Sequence, residues 1–281
     1  LEKLSVWERL EAGAHLVVNV SGGKDSDCMA LMLSQLRQRC AWPGRFILLH
    51  QDVGRMEWPQ SEPHCQALAD RVNAEYFVVR REQGDLLERI WQRALTLQGT
   101  GKPPWPSSET RYCTSELKTG IANRWTRNAF PDNAIVIHAL GIRADESASR
   151  AKKAEWSDRP TASAATKSRH VYTWLPIHSY GLSDVWATLK RHHWEPHPAY
   201  ALGNERVSCA LCVLASQNDL AVGAAQNPEI YNELVEIEIY CGFAFQQGRW
   251  LGDLRPDLLT PERLARFRAM RQAQTNQPPL L

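Results

Sequence analysis

The stretch from His15 to Asp27, H-L-V-V-N-V-S-G-G-K-D-S-D, constrains this chain more than any other. Leu16, Val17, Val18 and Val20 form a short apolar, mostly β-branched run that ends at glycines. Such a run predicts a buried parallel strand closing in a tight turn. Cys28 to Leu36 then reads as a helix with an apolar face. Between the two sit Ser21, Gly22, Gly23, Lys24, Asp25 and Ser26. The glycines let the backbone turn sharply and bring its N–H groups close to an anion. The helix start aims free N–H groups and the positive end of its dipole at the same point. Lys24 adds a full charge, and Ser21 and Ser26 add hydroxyls. The spacing is that of neither a Walker A loop nor a G-x-G-x-x-G turn. An ordinary glycine turn is the plain alternative, but strand, loop and helix in this order favour a phosphate cradle.

A chain of 281 residues buries a substantial core, enough for one large α/β domain with an appendage. Lys and Arg total 33 against 31 Asp and Glu, so bulk charge announces no polyanionic partner and any basic surface must be local. No apolar run approaches a membrane span, and the opening L-E-K-L-S-V-W-E-R-L is charged and helical in period rather than a signal peptide. Seven unevenly spaced cysteines without a secretion signal favour a metal or redox role over a disulfide framework. A cytoplasmic protein without a membrane partner is expected.

Along the chain, residues 3–12 predict an amphipathic helix. Strands are predicted at 45–51, 75–79, 133–140 and 171–177, with helices at 59–72, 85–97, from 118 to about 128, and at 182–193. This alternation predicts a parallel twisted sheet with helices on both faces. Ligands gather beyond the carboxyl ends of such strands. That places Asp52 to meet a nucleotide hydroxyl or a metal, with a turn aspartate as the equal alternative. It also places Gly141, Arg143 and Arg150, in G-I-R-A-D-E-S-A-S-R, to recognise an anionic ligand. Residues 151–170 carry Lys152, Lys153, Arg159, Lys167 and Arg169 without apolar periodicity, which predicts a mobile basic loop beside the site. His192, His193 and His197 do not share one helical face and read as surface histidines. Helices are predicted at 227–240 and 260–273. We expect an α/β domain over 1–215 and a C-terminal helical extension over 216–281.

Cys209 and Cys212 form a C-x-x-C, a common way to offer two sulfurs to one metal or cluster. Cys113, in R-Y-C-T-S-E-L-K just before a predicted helix and beside Arg111, is placed to be a thiolate and a third ligand, with a structural cysteine as the plainer reading of the residue alone. Cys241 is a possible fourth. Cys28, Cys40 and Cys65 fall within or at the ends of helical patterns.

S-G-G-K-D-S after a strand resembles the PP-loop of the ATP pyrophosphatases. Five blocks extend the resemblance to the phosphoadenosine-phosphosulfate (PAPS) reductase-like branch: 21–26, Asp52-Val53-Gly54, 111–118, 141–150, and L-P-I…D-V-W…H-P-A-Y-A-L-G…C-A-L-C from 175 to 212. True PAPS reductases usually lack the loop lysine, because their substrate offers no β- and γ-phosphates, and carry a catalytic cysteine in an E-C-G-x-H tail. Lys24 is present here and R-Q-A-Q-T-N-Q-P-P-L-L has no cysteine. Cluster-bearing reductases use a Cys-Cys pair where this chain has Cys113-Thr114. The chain looks most like the ATP pyrophosphatase of DNA phosphorothioation systems. That resemblance implies ATP and Mg²⁺ at Ser21 to Ser26, and an iron–sulfur cluster at Cys113, Cys209 and Cys212, with structural zinc as the alternative. It also implies a cysteine desulfurase or other sulfur donor as partner, DNA as acceptor, and a homodimer. In that reading Lys24 and Asp25 serve departure of pyrophosphate, and Arg143 and Arg150 serve the α-phosphate or the acceptor. The competing readings are a PAPS or APS reductase, an ATP-dependent tRNA thiolase, and a nucleotide-binding module without turnover.

Overall fold

The structure is a computed structural model and describes residues 4–159 and 169–275. In chain order α1 (Val6–Glu11) leads into β1 (His15–Val20), followed by α2 (Lys24–Cys40), β2 (Phe46–Asp52), α3 (Ser61–Arg71) and β3 (Glu75–Arg80). Next come α4 (Leu86–Thr96) and the single turn α5 (Tyr112–Thr114), which runs through a π-helical stretch, Ser115–Thr119, into α6 (Gly120–Ala129). β4 (Ile135–Leu140), α7 (Ala148–Ala151), β5 (Trp156–Asp158), β6 (His170–Trp174) and α8 (Leu182–Arg191) follow. The last helices are α9 (Gln217–Gln226), α10 (Pro228–Cys241), α11 (Leu251–Leu254) and α12 (Pro261–Thr275).

The chain divides into two compact units that interleave in sequence. One runs to Asp52 and includes Pro59–Arg80 and Glu116–Tyr200; the other holds Val53–Trp58, Arg81–Ser115 and the chain from Ala201 onward. The expected boundary at residue 215 does not coincide with this division. Among the described residues no helix is long and apolar enough to cross a membrane.

The first unit is a six-stranded sheet in the order β3-β2-β1-β4-β6-β5. β1 pairs in parallel with β2 and β4, β2 with β3, and β4 with β6. Only the edge strand β5 is antiparallel. The α/β fold with both faces covered is therefore the one its apolar runs predict. Along β1, Leu16, Val18 and Val20 face a core completed by Met29 and Leu33 of α2, Leu68 of α3 and Leu189 of α8. Val17 faces the other side with Ile47, Leu49, Val136 and Ala122 of α6. This two-residue alternation, buried on both faces, is why the strands read as continuous apolar runs. Each such Val or Leu contributes roughly 1.5–3 kcal/mol on burial.

β5 lies inside the segment expected to be a mobile basic loop, and at Trp156–Asp158 that expectation is corrected. Arg169 is buried, donating to the Phe130 and Pro131 carbonyls and to Asp132. Arg159 is half-buried, and burial pulls its guanidinium down to about 10. Lys152 and Lys153 stay exposed, while residues 160–168, with Lys167, lie outside the described residues. Charge counting missed this because the carbonyls that take up the Arg169 guanidinium come from Phe130 and Pro131, far away in sequence.

In the second unit α10 buries Tyr231, Leu234, Val235 and Ile237. Glu238 is fully buried on the same helix and accepts N–H groups of Phe245 (2.8 Å), Leu251 (2.8 Å) and Gly252 (3.0 Å). Burial outweighs those three donors and raises its carboxyl to about 7. α9 escaped the periodicity reading because its buried residues include Gly223, which passes against the Ala210 carbonyl where a Cβ would sit 1.9 Å away.

Candidate functional site

Strand order reverses between β1 and β4: β2 and β3 lie to one side, β6 and β5 to the other. A crevice opens beyond the carboxyl ends of strands at such a switch point. The loops leaving it are Ser21 to Gly23 after β1 and Gly141 to Arg143 after β4. The topology thus brings two separate sequence blocks to one place.

The helix begins earlier than expected. α2 starts at Lys24 with Gly23 as its N-cap, so Lys24, Asp25 and Ser26 form its first turn and the loop shrinks to Ser21–Gly23. Gly22 takes φ +73°, where a side chain is strained, and a Cβ there would come within 3.1 Å of His197. Ser26 is spent on the loop itself: its hydroxyl donates to the Gly23 carbonyl (2.7 Å) and faces the Ser21 N–H (3.3 Å). It therefore shapes the cradle rather than lining it. Gly141 is needed for a different reason. A Cβ there would lie 3.1 Å from the Asp25 carbonyl group and 3.2 Å from the Ser26 nitrogen, so glycine lets the end of β4 pass close to the first turn of α2.

The charged groups form a chain across the switch point. Lys24, 6 % exposed, places Nζ 3.5 Å from Asp25. Asp25 accepts Nε of Arg143 at 2.6 Å, and Arg143 reaches Asp145 through Nη1 at 2.5 Å. Burial lowers the Arg143 guanidinium pKa, but Asp25 and then Asp145 outweigh it and hold the group above its ordinary value. Arg150 pairs with Glu146, which also accepts the Arg143 N–H at 3.1 Å. Lys24 and Arg143 carry two positive charges against two on Asp25 and Asp145, so this inner set is neutral. A polyphosphate entering it needs further positive charge. Asp52, at the end of β2, is engaged by Arg80.

A second cluster behind α2 was not anticipated. Asp27, fully buried, accepts His64 Nε2 at 2.7 Å and Trp194 Nε1 at 3.1 Å. His197 is fully buried, which corrects its reading as a surface histidine. Its Nδ1 accepts the Ala199 N–H at 3.1 Å, so the ring proton sits on Nε2, facing Ser61 Oγ at 3.4 Å. Burial, then His64, pulls its pKa down to about 4 and keeps the ring neutral. Asp27 is four residues past Gly23, on the inward side of α2; local pattern alone did not mark it, because its partners come from α3 and from beyond α8.

The four candidate metal-binding cysteines all belong to the second unit. Cys113 lies within α5 rather than ahead of a long helix, as the π-helical stretch separates it from α6. Cys113, Cys209 and Cys212 are half-buried, and Cys212 Sγ accepts the Leu214 N–H at 3.5 Å. Among the described residues no three ligand atoms drawn from these cysteines come within 4.8 Å of one another. Cys241 ends α10 with its thiol donating to the Glu238 and Phe243 carbonyls, and burial pushes it up to about 11. Its thiol is thus engaged by two main-chain carbonyls.

A family model for the phosphoadenosine phosphosulfate reductase domain matches residues 15–215. No curated protein matches the chain. Among solved structures, the phosphoadenylyl-sulfate (PAPS) reductase from Candida auris in its phosphate complex is similar at TM-score 0.46 and 14% identity, over 74% of this chain and 89% of that one. The U34-tRNA thiolase of Methanococcus maripaludis with its 4Fe-4S cluster is similar at TM-score 0.47 and 13% identity, over 96% and 76%. An NAD+ synthetase from Burkholderia pseudomallei is similar at TM-score 0.41 and 16% identity, over 96% and 85%. At these scores the likenesses carry no residue and no reaction over to this chain.

Proposed function

The chain belongs to the phosphoadenosine phosphosulfate reductase domain family, and from that premise we propose that it is an ATP pyrophosphatase that activates a phosphate oxygen of a nucleic-acid backbone, DNA in the first instance, ahead of sulfur insertion. One observation carries the reading: a buried lysine, Lys24, is the first residue of α2 behind a glycine turn at the switch point. An ammonium there, added to helix N–H groups, serves a ligand with more than one phosphate.

Oxide is too poor a leaving group for sulfur to displace directly. Adenylating the oxygen turns it into AMP, and pyrophosphate leaves first. Lys24 and the loop N–H groups would neutralise the charge that builds on pyrophosphate. Mg²⁺, entering with ATP, would supply the charge that the neutral inner set lacks, with Asp25 holding it directly or through water. Arg143 and Arg150, already aligned by Asp25 and Glu146, would steady the α-phosphate or the acceptor. Three half-buried cysteines fall in one unit, as candidate ligands of one iron–sulfur cluster should. Cys113, Cys209 and Cys212 would hold it, and when bound it would supply a site for sulfur or electrons. A cysteine desulfurase is the matching donor.

The test is anaerobic incubation of the purified protein with ATP, Mg²⁺ and DNA, following AMP and pyrophosphate. Formation of both, lost in Lys24→Ala, is the expected outcome. Intact ATP together with thioredoxin-dependent sulfite release from PAPS would replace this reading by the reductase. Turnover that requires tRNA rather than DNA would keep the adenylation and change the acceptor.

A further inference from the structure

The first N–H of a helix has no partner inside the helix and is one of the groups that hold a bound phosphate. In this protein that group is taken. The Lys24 N–H donates to the hydroxyl of Tyr200 at 3.0 Å. The same tyrosine presents its ring to the lysine ammonium, 5.6 Å from the ring centroid. With Asp25 on its other side at 3.5 Å, Lys24 is held by two neighbours, and both its main-chain and side-chain donors face Tyr200.

Tyr200 ends a short 3-10 turn, Pro198–Tyr200, whose root is rigid. His197, fully buried, fastens that root through the Ala199 N–H and packs against Gly22, where a Cβ would come within 3.1 Å of its ring. At the far end Tyr200 is half-buried, and its ring meets edge-on that of Trp186, which is 37% exposed.

We infer that Tyr200 is a placeholder for phosphate, a positioning residue whose hydroxyl holds the Lys24 N–H and the lysine in register until a phosphate oxygen takes that N–H. One N–H cannot serve two acceptors at full strength, so the phosphate binds only as the hydroxyl leaves. The cradle is thereby kept in shape without ligand, at the cost of some affinity. This inference rests on the loop being a polyphosphate site, as proposed above.

Tyr200→Phe keeps the ring over Lys24 and removes the hydroxyl. Water then covers the N–H, and phosphate displaces it more easily than a tethered phenol. The probe is inorganic pyrophosphate with Mg²⁺, titrated calorimetrically into the full chain. Tyr200→Phe should bind it about two- to tenfold more tightly than the unaltered protein, the span expected for one hydrogen bond. A damaged fold would move affinity the other way, so the sign separates the placeholder from a structural role. Equal or weaker binding by Tyr200→Phe, beside measurable binding by the unaltered protein, overturns the placeholder and leaves the loop as a phosphate site. Binding by neither protein removes the polyphosphate reading and the placeholder with it.

Discussion

The head of α2 and the cysteine region are the two chemically loaded parts of this molecule, and they are built in opposite ways. At the head of α2 the donors are largely main-chain N–H groups, fixed in direction by the helix, and Lys24, Asp25, Arg143 and Asp145 are joined to one another. At the cysteines the donors are side-chain sulfurs from α5 and from the C-x-x-C, and among the described residues no three of them lie within 4.8 Å of one another. A site made of backbone comes with the fold. A site made of scattered side chains is completed by what it binds, because thiolates repel one another until a metal offsets their charge.

That contrast can be broken at either end. Lys24→Ala carries the largest expected effect, a fall in pyrophosphate release of about 10²–10³-fold, as when one preorganised transition-state donor is removed. Initial-rate assays with ATP and Mg²⁺ check it, and an unchanged rate would move the chemistry away from α2. Cys209→Ser should remove iron and visible absorbance from anaerobically purified protein while pyrophosphate binding persists, whereas Cys241→Ser should keep the iron. Iron analysis beside calorimetry reads both, and joint loss of iron and pyrophosphate binding would show that the two regions are not independent.

A smaller effect is expected at Gly141. Gly141→Ala forces a Cβ against the Asp25 backbone and should cost about 1–3 kcal/mol, seen as a lower unfolding midpoint and slower turnover. A neutral outcome would mean that the first turn of α2 yields more readily than its packing implies.

The smallest effect lies in pH, where the two units should respond with opposite sign. His197 has its pKa lowered to about 4 in the first unit, so its contribution is full above the unfolded value of 6.5 and is lost as pH falls through about 4. Glu238 has its pKa raised to about 7 in the second unit, with Asp253 adding to the rise, so its contribution is full below 4.5 and is lost as pH climbs through about 7. Thermal melts of His197→Gln and Glu238→Gln should each flatten the pH dependence in its own window. A variant that flattens the other window would reverse the assignment.

The strand, the glycine turn and the lysine were legible because the cradle uses consecutive residues, and a helix start can be read from its own sequence. Even so, the helix begins at Lys24 rather than Cys28, since Gly23 caps it and Ser26 closes the loop with its own hydroxyl. β5 was hidden because three residues have no periodicity to read; its pairing with β6 makes it a strand. The sequence predicts a mobile basic loop around Arg159 and Arg169, and packing puts Arg169 inside.

By itself the sequence determined the α/β class, the place of the glycine turn and its lysine between β1 and α2, and which cysteines are candidates, because alternating apolar runs and contiguous motifs act over a few residues. Tertiary structure alone decided that Tyr200 sits on the Lys24 N–H across 176 positions, that Arg143 meets Asp25 across 118, and that His64 and Trp194 share Asp27. Those pairings depend on strand order and burial, and no local pattern encodes which distant side chain arrives at a buried carboxylate.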